Sequence, residues 1–281
     1  MIFLAKYTIL KHYSKILMEK KRIVLGVDAS TSCLGTSVVS YDGENIEVLY
    51  VHYVKMKQSK KYKGTDSLFY KSKQFKNEFI DKIKGWGITD IVIEEPLPNS
   101  QNVITVNSLM KFNGMISQSL YESLGVIPEY ISSYDARKYA FPELMAVRKF
   151  NKSGEEYSIK NIKHALKHSE LVLFGAYPFD VQKKFILWNK IAELYPRINW
   201  AYDKENNLTV ENFDASDSLV CILGYLKKEK YEKDEPVVTK FDITQGKVDN
   251  ELYNISYTMR FCDKTFDKKI SLTKNNDKDL L

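Results

Sequence analysis

Two short apolar runs that each end in acid are the features that most constrain this chain. Ile23 to Val27 (IVLGV) stops at Asp28, and IVIEE (91–95) stops at Glu94 and Glu95, with Pro96 and Pro98 closing it. Runs of that length and polarity read as buried strands. Between them, LGTSVVS (34–40) and IEVLYVHYV (46–54) read as two further strands, with YDGEN (41–45) as the hairpin turn that joins them. Residues 66–84 then place Leu68, Phe69, Phe75, Phe79, Ile80 and Ile83 at helical spacing. A second helical pattern covers 104–124, and VIPEYI (126–131) reads as a fifth strand. Buried strands joined by long helical crossovers need helices on the faces of their sheet. The expected fold class is therefore α/β, a mixed five-stranded sheet flanked by helices.

The second half reads as mainly helical. Residues 135–140, 156–169, 181–194 and 214–227 carry amphipathic spacing, separated by polar stretches at 148–156 and 197–207. A charge run around 228–235 marks a linker, and beyond it VVTKFDITQG and ELYNISYTMRF alternate apolar with polar residues. A small C-terminal β-rich appendage is expected there, ending in a frayed NNDKDLL. The expected organisation is an N-terminal extension (1–20), a main domain (21–228) and the appendage (236–273). In the extension, Lys6, Lys11, His12 and Lys15 interrupt every apolar run, so no stretch has the length of a secretory signal or a membrane span. It reads either as an amphipathic helix or as sequence upstream of a start at Met18. No later segment reads as membrane-spanning.

Composition narrows the class only so far. With 281 residues, 44% of them hydrophobic and 13% aromatic, the chain can bury a large core, which excludes wholesale disorder. Cys33, Cys221 and Cys262 are odd in number and far apart. They build neither a disulfide framework nor a zinc finger, so a reducing, cytoplasmic interior is the expected compartment. The net charge of +6 is compatible with a nucleic-acid partner without demonstrating one.

Four acids carry the chemistry. Asp28 ends the first buried strand, Glu94 closes the fourth, and Asp214 and Asp217 open the helix in NFDASDSLVCILGYL. Carboxyl ends of strands in such sheets are where ligands gather. Acids three apart at a helix start share one face. Singly, each has an ordinary role: Asp28 and Glu94 as strand-end residues, Asp214 as an N-cap, Asp217 as a first-turn acid favoured by the helix dipole. Together they form an oxygen-only ligand set suited to Mg²⁺ or Mn²⁺. Two such ions roughly 3.5–4 Å apart would serve an in-line phosphodiester displacement.

The order of these elements carries a resemblance. VLGVDASTSCLGTSVV, DIVIEE, the helix with NSLMKFNGMI, a strand and then helix-borne DASD, over about 22–227, resemble the RuvC-type Holliday junction resolvases of the ribonuclease H-like superfamily. The resemblance implies a ribonuclease H-like fold and a crossover junction endonuclease that hydrolyses branched DNA and leaves 5′-phosphate ends. It further implies a homodimer, and Asp28, Glu94, Asp214 and Asp217 as catalytic ligands of two Mg²⁺ or Mn²⁺ ions. By the same analogy the helix at 104–124 is the candidate dimer interface. Lys-, Asn-, Tyr- and Ile-rich composition and the added segments look like a bacteriophage member, which would act in the host cytoplasm. One departure is the loop after the strand Glu, PLPNSQNV, which lacks the aromatic residue of the cellular enzymes. The segment 141–160 looks like an insertion.

Other features weigh less. The basic loop Lys55, Lys57, Lys60, Lys61 and Lys63, with Arg137 and Lys138 further on, suits contacts to a DNA backbone, or simply a solvated surface. His164 and His168 are four apart on a helix and read as a surface pair. Trp86, Trp188 and Trp200 read as packing or interface residues rather than base-stacking platforms, and Cys33 and Cys221 as core. Neither a membrane nor a small-molecule substrate is expected. Two other readings stand beside the nuclease. GVDASTSCLGTSVVSYDG also resembles the first phosphate loop of sugar- and acetate-kinase-like ATPases, although no second phosphate loop or Gly-rich adenosine motif follows. The other is a catalytically silent DNA-binding protein on the same fold, against which four intact carboxylates argue.

Overall fold

A computed structural model describes residues 21–96, 102–177, 182–245 and 252–273. The expectations for residues 1–20, for most of the loop PLPNSQNV and for the terminal NNDKDLL lie outside these residues. In chain order the main helices are α1 (Gly64–Phe75), α2 (Val103–Leu124), α3 (Ser133–Ala140), α4 (Ile159–Lys167), α5 (Lys183–Leu194) and α6 (Glu211–Tyr231). The chain divides into two compact units. One comprises the residues up to Ser133 together with Lys184–Ile222, and the other comprises Tyr134–Lys183 and Leu223 onward.

The first unit is built on a five-stranded sheet. Strands β1 (Arg22–Ala29), β2 (Cys33–Tyr41) and β3 (Ile46–Lys55) form an antiparallel meander. β4 (Asp90–Glu94) pairs in parallel with β1, and β5 (Glu129–Ile131) pairs in parallel with β4. The order is β3-β2-β1-β4-β5. This is the mixed, helix-flanked five-stranded α/β sheet expected from the sequence. The fifth strand is shorter than VIPEYI suggests, because Pro128 has no N–H for the ladder, and pairing begins only at Glu129.

The period of two in β1 and β4 sorts their residues between the sheet's faces. Leu25, Val27, Ile91 and Ile93 pack with Leu68 and Phe75 of α1 and with Phe112, Ile116 and Leu120 of α2 in one hydrophobic core. Each of these side chains, fully buried, contributes about 1.5–3 kcal/mol. α1 runs on through a π-helical stretch, Lys76–Ile80, into Asp81–Ile83, which together span the single helix expected over 66–84. The side chain of Asn102 caps α2 by accepting from the Thr105 amide at 3.1 Å, and left-handed Gly125 (φ 72°) ends it.

The opposite face receives α6. Gly26 pairs with Ser37 and Asp28 with Gly35 across the β1–β2 ladder. A Cβ on Gly26 would meet the carbonyl oxygen of Ser218 and, at 2.6 Å, Ile222 Cγ1; one on Gly35 would collide with the backbone of Asp214. The two glycines therefore let the helix backbone lie directly on the strands. Ser37 Oγ and Ser218 Oγ are 2.7 Å apart and fully buried, which fixes the register of helix on sheet.

The second unit contains β6 (Met145–Val147) paired with β7 (Leu171–Leu173), and a three-stranded antiparallel sheet ordered β10-β9-β8. Its strands are β8 (Val237–Gln245), β9 (Leu252–Phe261) and β10 (Lys264–Thr273). Met145, Val147, Ile162, Leu166, Ile255 and Met259 belong to one core. The segment that looks like an insertion thus supplies a strand and core residues to this unit. β9 and β10 are joined at Cys262 and Asp263, both with positive φ (50° and 60°), as a two-residue type I′ turn requires.

Replacing Gly35 with Ala should lower stability by on the order of 1–3 kcal/mol, the usual cost of overpacking a tight contact. Chemical denaturation measures this. An unchanged midpoint would mean that α6 does not seat against β2 at that point.

Candidate active site

The four sequence-selected acids come from three elements of the first unit. Asp28 and Glu94 lie at the carboxyl ends of β1 and β4, neighbouring parallel strands. Asp28 shares the sheet face of Gly26, on which α6 rests. Asp214, Asp217 and Cys221 are spaced three and four apart on α6, so one helix face carries all three. The Cys221 thiol lies 3.9 Å from Glu94 Oε2, which places Glu94 against that same face. α6 begins at Glu211 rather than at Asp214. Asp214 is thus a first-turn residue and not the N-cap that its sequence position also allows. Buried Asn212 anchors this earlier start, its side chain accepting from the Ala201 amide at 3.0 Å and donating to the Ala201 carbonyl at 2.6 Å.

The proximity of these acids has an electrostatic consequence. Burial pushes the Asp28 carboxyl well above its ordinary pKa, and the charges of Glu94, Asp217 and Asp214 push it further; the Lys184 ammonium partly opposes them. Lys184, in the first turn of α5, was read in the sequence only as part of an amphipathic helix. Its Nζ lies 2.9 Å from Asp214 Oδ1 and 3.7 Å from Asp217 Oδ2. Burial alone would depress the Lys184 pKa, but the hydrogen bond to Asp214 and the surrounding carboxylates raise it overall. Cys33, across from Asp214, has its thiol pKa pushed up by burial and then by the Asp214 charge, so it stays a neutral core thiol. A sequence signal for Lys184 did exist: two lysines open α5 with no acid in its first turn, where the helix dipole disfavours cations.

The donor chemistry fits a hard divalent cation, since all four side chains offer only oxygen. Among the described residues no three His, Cys, Asp or Glu stand at the mutual spacing that holds an ion. Two of the carboxylates, Asp214 and Asp217, instead approach the ammonium group of Lys184.

No protein-family model matches the chain, and no curated protein matches it. Among solved structures, Thermus thermophilus RuvC is 13% identical, at a TM-score of 0.44 over 74% of this chain and 95% of that one. The same protein in complex with a Holliday junction substrate gives 10% and 0.42 over the same shares. An Aquifex aeolicus PPX-GPPA enzyme gives 9% and 0.32 over 90% of this chain and 53% of that one. Likenesses this distant carry no activity over to this chain.

The basic loop is tied to the turn that follows Asp28. The Met56 amide donates to the Ser32 carbonyl at 2.8 Å, and the ammonium of Lys71 to the Thr31 carbonyl at 2.7 Å. Buried Gln74 holds the loop from its other side, accepting from the Lys57 amide at 2.9 Å and donating to the Lys55 carbonyl at 3.0 Å. Lys55 pairs with Glu211 at 2.6 Å and Lys57 with Glu78 at 3.3 Å, whereas Lys60, Lys61 and Lys63 stand exposed. Arg137 and Lys138 belong to the second unit. There Lys138 is turned inward, 3.3 Å from Glu235 and over the rings of Tyr139 and Phe261, so its charge is taken up where the sequence suggested a phosphate contact. His164 and His168 do lie side by side, ring centroids 4.3 Å apart, but an acid joins them: Glu170 reaches His164 Nδ1 at 3.4 Å past a left-handed Ser169. Half-buried Trp188 and Trp200 pack edge to face on one another. Among the described residues no helix is long and apolar enough to cross a membrane.

The raised Asp28 pKa makes a signed prediction for the metal-free protein. A carboxyl whose folded pKa lies above its unfolded value binds more protons in the native state between the two. Stability is therefore full below the ordinary aspartate value and falls as pH rises through the raised one. In EDTA, Asp28→Asn should melt above the wild type at neutral pH, and the gap should close on acidification. Melting at or below the wild type at neutral pH would remove the burial and crowding inferred at Asp28.

Proposed function

We propose that this chain is a metal-dependent nuclease that cuts branched DNA, four-way junctions included, acting as a crossover junction endodeoxyribonuclease. What supports the reading is that Asp28 shares one sheet face with α6 and lies near enough to Glu94, Asp214 and Asp217 for their charges to raise its pKa, although the four do not stand at ion-holding spacing. Such a set costs stability through mutual repulsion, which capping and turn roles do not require. It suits Mg²⁺ or Mn²⁺, which when bound would supply the positive charge that a phosphodiester needs for in-line displacement. Water attacks phosphorus, the P–O3′ bond breaks, and O3′ leaves with the electron pair and takes up a proton. The products are a 5′-phosphate and a 3′-hydroxyl.

The chain's own residues divide the work. Asp28 and Glu94, fixed on adjacent strands, form the rigid side of the site, and α6 presents Asp214 and Asp217 across from them. Lys60, Lys61 and Lys63 offer exposed charge to the DNA backbone from a loop tethered to the Asp28 turn. Cutting two strands of a junction symmetrically takes two sites, so a homodimer completes the reading.

The deciding experiment compares a synthetic four-way junction with matched linear duplex, in Mg²⁺ or Mn²⁺ and in EDTA. Paired nicks in the junction, lost in EDTA, are expected. Cutting of both substrates alike would retain the nuclease and remove the junction preference. No cutting by folded protein, together with ATP binding, would replace the nuclease with the kinase-like reading of the β1–β2 turn. Asp217→Asn should lose at least about 100-fold in cleavage rate while keeping junction binding, the scale seen when one electrostatic group is taken from a site. Substituting Ala at Lys60, Lys61 and Lys63 should flatten the dependence of log affinity on log salt by up to about 0.9 per lost phosphate contact. An unchanged slope would take the loop out of the interface.

A further inference from the structure

We infer that Lys184 is the site's built-in counter-cation, and that a divalent ion must displace its ammonium group to bind; this rests on the metal reading above. The atoms concerned are explicit. Lys184 Nζ lies 2.9 Å from Asp214 Oδ1 and 3.7 Å from Asp217 Oδ2, so it sits on oxygens that a metal ion would take. Asp217 is buried, so its charge is poorly screened by water. An ammonium hydrogen-bonded to one of those oxygens and ion-paired with the other would lie within a few ångströms of any ion they held. Like charges that close in a partly enclosed cleft exclude one another.

Lys184 is also suited to leaving. Its side chain is 52% exposed and springs from the first turn of α5, where the helix dipole opposes a cation. The carboxylates hold it there, and a competitor for them releases it. Because its stem is flexible, departure needs only side-chain rotation toward solvent. The same exchange keeps the carboxylates gathered before an ion arrives. Lys184 is thus a positioning residue for the acid set, and metal affinity is reduced by the work of removing it.

The test is calorimetric titration of Mn²⁺ into the full, DNA-free chain, with melting temperatures recorded in EDTA. Lys184→Met should bind Mn²⁺ about tenfold more tightly than the wild type, equivalent to about 1.4 kcal/mol, and should melt lower in EDTA. Lys184→Arg, which keeps the charge, should bind as the wild type does. Asp217→Asn should lose binding. A lesion that merely loosened the fold would lower metal affinity, not raise it. Equal or weaker Mn²⁺ binding by Lys184→Met, with binding still abolished in Asp217→Asn, would overturn the counter-cation role and leave the metal site standing. Equally tight binding by Lys184→Arg and Lys184→Met would overturn it too, because charge would then not be the cause. Absence of Mn²⁺ binding in the wild type and in every folded variant would instead remove the metal reading and this inference with it.

Discussion

The seating of α6 on β1 and β2 is the contact on which the rest of the first unit's chemistry depends. A helix backbone reaches a sheet this closely only where the strands present no side chain, and Gly26 and Gly35 lie on neighbouring strands at that place. The buried Ser37–Ser218 hydrogen bond then selects one register, since a slip of one helical residue would turn the serine away by about 100°. With that register fixed, Asp214 and Asp217 cannot do other than face the strand ends. The Ala215 carbonyl completes the serine pair by accepting from Ser218 Oγ at 2.7 Å, so the pair specifies alignment without leaving an unpaired hydroxyl in the core.

That alignment sets stability against function. The hydrophobic core formed by α1, α2 and the opposite sheet face is large and wholly apolar, with Phe75, Phe112 and Ile116 excluded from solvent. It can carry an acid cluster on the other side that is unfavourable by itself. The cluster's own relief is partial and visible: Lys184 neutralises part of the charge, and the raised Asp28 pKa admits a proton where repulsion is greatest. Proton and ammonium are two ways of offsetting the same crowded carboxylates, and in the proposed reading a metal ion would be a third.

What was legible in the sequence follows from how local its causes are. Asp28 and Glu94 were readable because each ends a run whose apolar pattern identifies its strand, and DASD because acids three apart share a helix face. The sheet and its helices were readable for the same reason, as were the alternating β8 and β9. β6 and β7 were not, since three apolar residues fit a helix edge as well as a strand and only their mutual pairing decides. Lys184 escaped because its partners lie thirty residues on, at Asp214 and beyond. Lys138 looked like a surface charge because nothing local shows that Glu235 and the ring of Phe261 enclose it. Pairing across distance is what a linear pattern does not contain.

The basic loop shows how such pairing joins two properties that the sequence keeps apart. A flexible run of lysines would attract DNA anywhere along its length, with little consequence for where a backbone comes to rest. Here Gln74 fixes the backbone of Lys55 and Lys57, and Met56 and Lys71 fasten both sides of the loop to the turn of Thr31 and Ser32, immediately after Asp28. Lys55 and Lys57 are in turn held by Glu211 and Glu78. Those two charges brace the loop, and the exposed Lys60, Lys61 and Lys63 are left at its tip. The base of the loop and the turn after Asp28 thereby form one hydrogen-bonded piece. If the loop contacts DNA as proposed, orientation of that kind, more than added affinity, is what it would contribute.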